Sequence, residues 1–127
     1  MNAMKCLKLV RALIPFDDVV DFGCGIGGWL YAAEKLGARN VVGVEGEWIQ
    51  EADVLVDKNR IIVADLATAP PTFQKQFDLA ITIEVAEHLP ERAANAFCSS
   101  LASASDCILF SAAIPGQGGV GHVNEQP

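Results

Sequence analysis

The sequence predicts an α/β domain built on a doubly wound, mostly parallel sheet with helices on both faces. Three observations predict it. Five short apolar runs rich in Val and Ile recur along the 127 residues, stretches with helical spacing lie between them, and a glycine-rich loop follows the first run. Strands covered on both faces read as continuous apolar runs rather than alternating ones, and strand alternating with helix calls for parallel pairing through right-handed crossovers.

Taken in order, residues 2–13 form a short amphipathic stretch that stops before Pro15, an extra helix within an N-terminal segment 1–15. Residues 18–22 (Asp-Val-Val-Asp-Phe) are the first predicted strand and 40–45 (Asn-Val-Val-Gly-Val-Glu) the second. Between them Trp29, Leu30, Ala33 and Leu36 share one helical face, followed by Gly37, a residue suited to the left-handed position past a helix. Residues 60–64, 77–84 and 106–112 are strands three to five. Pro90 opens a helix that places Ala93, Ala94, Phe97 and Leu101 on one side. The core therefore occupies 16–114, and residues 115–127, with Gly116, Gly118, Gly119 and Gly121, read as a loop or tail within the same single domain 1–127.

Composition sets outer bounds. A mean hydropathy of +0.30 is high, yet no apolar run approaches the ~20 residues that a membrane-spanning helix needs. The N-terminus lacks the apolar stretch and small-residue cleavage site of a secretory signal, which predicts a cytoplasmic protein without membrane partners. Cys6, Cys24, Cys98 and Cys107 show no paired metal spacing, so reduced thiols are expected. A net charge of -7 disfavours partners held by a phosphate backbone, so no nucleic acid is expected.

Asp21-Phe22-Gly23-Cys24-Gly25-Ile26-Gly27-Gly28 follows a strand and opens a helix, the setting in which glycines let a ligand approach the backbone. Two patterns fit. Gly23, Gly25 and Gly28 match the G-x-G-x-x-G spacing of dinucleotide sites, while Asp21, Gly23, Gly25 and Gly27 match the D-x-G-x-G-x-G of methyltransferases. Charge separates them. Asp21 would face a dinucleotide's negative pyrophosphate or the positive ammonium of S-adenosylmethionine. Like charges in a partly dry cleft cost on the order of a few kcal/mol, which favours the cationic ligand over a nicotinamide dinucleotide.

Glu45 ends the second strand, where an acid can accept from both hydroxyls of an adenosine ribose, and Gly46 follows it. Asp65 follows the third strand, placed to accept from an adenine amino group while the Leu66 backbone covers the ring edge. An acid after a strand is by itself only a loop residue or helix cap; three acids after three successive strands form a pattern. Trp48 either lies against the adenine or packs under a helix.

The run 77–90, Phe-Asp-Leu-Ala-Ile-Thr-Ile-Glu-Val-Ala-Glu-His-Leu-Pro, resembles the fourth-strand motif of class I S-adenosylmethionine-dependent methyltransferases. Val-Val-Asp-Phe-Gly-Cys-Gly-Ile-Gly at 19–27 is similar to that family's first motif, Val-Gly-Val-Glu at 42–45 to its second and Ala64-Asp65-Leu66 to its third. The resemblance covers nearly the whole chain and implies a Rossmann-like fold. It also implies S-adenosylmethionine as cofactor and S-adenosylhomocysteine as product. Asp21, Gly23 and Gly25 would hold the methionine portion, Glu45 the ribose and Asp65 the adenine, with Cys24, Gly27, Gly46 and Leu66 also in the cofactor site. Glu84 would face both cofactor and acceptor, and His88 is the candidate general base.

Glu-x-x-Glu-His segments similar to Glu84, Glu87 and His88 bind a divalent metal in some O-methyltransferases, with His122 a further candidate ligand here. Many relatives carry Glu-His-Leu without a metal, and a metal-free site is the expectation. His122, Asn124 and Glu125 are the tail's polar groups best placed to meet an acceptor, unless the tail is disordered. Class I enzymes usually continue into two more strands, so the chain reads as incomplete, with its fifth strand an open edge that a partner chain would cover. The predicted reaction is methyl transfer to oxygen of a small-molecule acceptor. The alternatives are a non-catalytic S-adenosylmethionine-binding or interaction domain and, less favoured, a nicotinamide-dependent oxidoreductase. The last lacks a Tyr-x-x-x-Lys pair, the only tyrosine being Tyr31.

Overall fold

The computed structural model describes residues 2–127; Met1, part of the predicted N-terminal segment, lies outside the described residues. In chain order the elements are α1 (Ala3–Leu13), β1 (Asp18–Phe22), α2 (Gly28–Lys35), β2 (Asn40–Glu45), β3 (Ile61–Val63), β4 (Leu79–Ile83), α3 (Ala94–Ala104) and β5 (Ile108–Ser111). The sheet order is β3-β2-β1-β4-β5, with every pairing parallel. The chain winds outward from β1 to β3, then returns to lay β4 against the other side of β1. That reversal opens a crevice at the carboxyl ends of the strands, where ligands bind in such sheets.

Alternate residues of the central strands feed two cores. Val19, Val41, Leu79 and Ile81 face α1 and α2 and pack with Leu7, Phe16, Leu30 and Ala33. Val20, Phe22, Val44 and Ala80 face the opposite way, onto Phe97, Leu101 and Ala104 of α3. Phe22, Phe73 and Phe77 meet edge to face at 5.9 and 5.2 Å, extending this second core beyond the helix. Both faces of the sheet are thus covered at its centre.

Local chemistry explains the boundaries. The Asn2 side chain caps α1 by accepting from Lys5 N at 3.1 Å. Gly37, with φ +100°, closes α2 as its spacing predicts. The helix expected from Pro90 begins as a 3₁₀ turn at Glu91–Ala93 and becomes regular only at Ala94. The predicted strand 77–84 is shorter because the Asp78 carboxylate accepts from Asp17 N and Asp18 N, fixing the entry to β1 rather than extending β4. Among the described residues, the crossovers flanking β3 carry no α-helix. Two 3₁₀ turns, Glu47–Glu51 and Lys58–Arg60, lead into β3, and a segment containing Pro70 and Pro71 leads out. β5 is the edge of the sheet, and its Ile108 and Phe110 side chains are exposed. No described helix is long and apolar enough to cross a membrane.

Candidate active site

A cleft of about 840 Å³ runs along the carboxyl ends of β3, β2, β1 and β4. Gly23, Glu45, Gly46, Trp48, Asp65, Leu66, Glu84 and His88 line it. Residues predicted for a ribose, an adenine and the chemistry thus share one wall-to-wall space. Asp21, Cys24, Gly25 and Gly27 do not line the cleft.

Asp21 sits within β1, 1% exposed, and its Oδ2 has no hydrogen-bond partner. Burial, reinforced by the nearby Glu45 charge, pushes its carboxyl up to about 8. At neutral pH it therefore carries a proton. Cys24 is turned away from the cleft: its Sγ packs where a Cβ on Gly43 would come within 2.6 Å, and burial pushes its thiol up to about 12. The thiol is inert filling, so only its backbone can serve a ligand. All four cysteines are free.

Gly23, Gly25 and Gly27 adopt φ of +75°, +53° and +89°, which only glycine takes without cost. A Cβ on Gly23 would also stand 2.5 Å from the Val85 side chain. The turn after β1 and the turn after β4 thus touch through a missing side chain. Val85 was not legible from motif spacing, because nothing local ties residue 85 to residue 23.

The Glu45 carboxylate shapes the loop. Oε2 accepts from Gly25 N at 2.8 Å, and Oε1 accepts from Gly46 N at 2.8 Å and Trp48 Nε1 at 3.1 Å. Oε2 keeps a lone pair for a further donor. Trp48 consequently lies on the cleft wall, 55% exposed, rather than beneath a helix. Asp65 accepts from Ala67 N at 2.8 Å and Thr68 Oγ1 at 2.9 Å, bonds that hold its carboxyl below the usual range. It caps the turn after β3 and keeps unused lone pairs.

Glu84 leaves β4 with φ +56°, a left-handed backbone uncommon outside glycine. Its amide donates to Ser111 O at 2.8 Å, and Ser111 Oγ donates to its carboxylate. This two-sided bond to β5 holds the strained residue at the cleft. Next along the chain, Glu87 is 1% exposed; its Oε1 accepts from Ala113 N at 3.2 Å while Oε2 has no partner.

The tail is folded onto this turn. Glu87 O accepts from Val123 N at 2.9 Å and Asn124 N at 3.1 Å, and His88 Nδ1 donates to Gly121 O at 3.1 Å. The His88 and His122 rings meet edge to face at 5.0 Å. Glu87, His88 and His122 bring one ligand atom each within 4.8 Å of one another; Glu84 stands outside that group. One buried carboxylate with an orphaned oxygen and two imidazoles fit a divalent transition metal. The Glu125 carboxylate accepts from Gly116 N, Gly118 N and His122 Nδ1, each at 2.8 Å.

Residues 4–110 match the family model described as a methyltransferase domain. A sphingolipid C9-methyltransferase of Candida albicans is 32% identical over 108 residues, covering 74% of this chain and 21% of that protein. The chain thus spans about a fifth of that relative's length. An S-adenosylmethionine-dependent methyltransferase of Mesorhizobium loti superposes with a TM-score of 0.66 at 24% identity, covering 85% of this chain and 52% of that one. The methyltransferase domain of bacterial CtHen1 gives 0.70 at 19% identity, covering 98% and 73%. With the family model spanning most of its length, the chain belongs to the methyltransferase-domain family.

Proposed function

We propose that this domain binds S-adenosylmethionine in the cleft and positions its methyl group for transfer to a small-molecule acceptor, most simply to an oxygen. One observation carries the reading. Asp21, Glu45 and Asp65 stand on or just after three adjacent strands, and the buried Asp21 keeps an oxygen unpartnered beside the glycine loop. An unpaired polar atom in a dry site costs about 1–3 kcal/mol, and a ligand ammonium beside it would supply a donor and draw the carboxyl into its ionised form. A dinucleotide pyrophosphate offers no such donor and would meet the Glu45 charge nearby.

In this reading Glu45 Oε2 accepts from a ribose hydroxyl, Gly46 and Trp48 flank the sugar, and Asp65 with Leu66 receives the adenine. Gly23, Gly25 and Gly27 let the methionine portion approach the backbone. Bound S-adenosylmethionine supplies an electrophilic methyl on sulfur. The protein's part is alignment and exclusion of water, which can supply several kcal/mol of the barrier without a covalent intermediate. Glu84, fixed by Ser111, orients the acceptor. His88, whose Nδ1–H is engaged by Gly121 O, keeps Nε2 to take the acceptor's proton.

The geometry of Glu87, His88 and His122 favours a second reading of the acceptor side, in which these residues hold a divalent cation. Such a cation would lower the pKa of an acceptor hydroxyl. Loss of turnover in chelator, restored by manganese, would support it; unchanged turnover would refute it.

Isothermal titration with S-adenosylhomocysteine tests the cofactor reading. Micromolar binding, lost in Asp21→Ala and Glu45→Ala and absent for NADH, is the expected result. No binding to the folded chain, or binding of NADH instead, would overturn it.

A further inference from the structure

Two imidazoles meet edge to face, His88 on the cleft wall and His122 behind it in the tail, and the chemistry available there depends on which nitrogen of each ring carries a hydrogen. For His88 the matter is settled by the Gly121 carbonyl, an acceptor only, at 3.1 Å from Nδ1. For His122 the partner is a carboxylate: Nδ1 lies 2.8 Å from Glu125 Oε1, with both side chains largely shielded, 13% and 18% exposed. The same carboxylate accepts from Gly118 N at 2.8 Å through Oε1 and from Gly116 N at 2.8 Å through Oε2. Both carboxylate oxygens are thus engaged as acceptors, which leaves His122 Nδ1 as the donor. Gly119 completes the arrangement: a Cβ there would collide with the His122 ring around Nε2.

We propose that Glu125 is a positioning residue, which by accepting from His122 Nδ1–H fixes that ring as the tautomer with its lone pair on Nε2. Both histidines then keep their lone pair on Nε2, in a cluster where Glu87, His88 and His122 each bring one ligand atom within 4.8 Å of the others. A hydroxyl-bearing acceptor, or a cation, is the chemistry such a group of lone pairs takes. This inference rests on the methyl-transfer reading for its consequence, but its geometry does not depend on it.

The test reads the ring directly. Nitrogen-15 spectra of the histidine side chains, recorded at about pH 8.5 where imidazoles are neutral, report which nitrogen bears hydrogen. His122 is expected as the Nδ1–H tautomer in the native chain and in Glu125→Gln, whose amide oxygen still accepts, but not in Glu125→Ala. A residue serving only to staple the loop amides would leave the tautomer unchanged in Glu125→Ala, and that result, or an Nε2–H ring in the native chain, would overturn the proposal. Gly119→Ala provides a second variant that leaves Glu125 intact: displacement of the ring is expected to weaken the Nδ1 bond and mix the tautomers, and an unchanged spectrum there would count against it. Titration of the native chain with S-adenosylhomocysteine keeps the two readings apart, because absent binding would sink the cofactor assignment and leave the tautomer result standing.

Discussion

Asp21→Asn should change how stability depends on pH more than it changes the fold. In the unfolded chain this carboxyl titrates near 3.8 and in the fold at about 8. Between those values the folded state holds one proton that the unfolded state has released, so stability falls as pH rises. One proton of difference corresponds to about 1.4 kcal/mol per pH unit. From pH 4 to 7 the loss approaches about 4 kcal/mol, a large share of the 5–15 kcal/mol that holds a typical domain together. The slope requires only that the folded value lie above the pH range measured. Asparagine keeps the shape and carries no proton to lose. Urea unfolding of both chains at pH 5, 6 and 7 checks this: the variant's stability minus the native chain's should climb by about 1.4 kcal/mol per unit. Parallel curves would show that Asp21 is already ionised in the fold, and the argument from its burial would fail.

Other outcomes follow from the same geometry. If a ligand ammonium settles beside Asp21, binding at about pH 7 should release up to one proton. Titration of S-adenosylhomocysteine in buffers of different ionisation enthalpy reads that number. Gly23→Ala places a Cβ 2.5 Å from Val85 on a left-handed backbone and should cost about 2–4 kcal/mol, with Val85→Ala in the same chain restoring part of the urea midpoint. Glu45→Gln replaces one accepting oxygen of a carboxylate that already serves Gly25, Gly46 and Trp48. It should weaken S-adenosylhomocysteine about tenfold or more by titration calorimetry.

How much of this was legible in the sequence varies by element. β1 and β2 have the boundaries their apolar runs predict, because in each case charge or glycine ends the run abruptly. β3 and β4 are shorter than their runs, since Arg60, Phe77 and Asp78 have apolar or polar duties in the turns that flank them. The three acids were visible as a spacing; the structure lines Glu45 and Asp65 along one space and buries Asp21 within β1. Their hydrogen bonds were not visible, so the loop-shaping role of Glu45 and the turn-capping role of Asp65 emerged only from the fold. Glu125 shows the limit most clearly. In a segment where Gly116, Gly118 and Gly121 all take positive φ, the chain doubles back, and no pattern of residue types says which way a side chain will point.

The thinness of β3 has a consequence for motion. It is three residues long, pairs on one side only, and leaves Ile62 and Val63 38% and 41% exposed, with no α-helix among the described residues of either flanking crossover. Segments with so few buried neighbours open locally at a small fraction of the global free energy. Amide hydrogens of β3 should therefore exchange well before those of β1 and β4, which are sandwiched between two cores. The wall that carries Asp65 and Leu66 is the loosest side of the cleft. A ligand that presses an apolar ring against it would order that wall as it binds, and exchange at residues 61–66 would then fall in proportion to occupancy while the centre of the sheet stayed as it was.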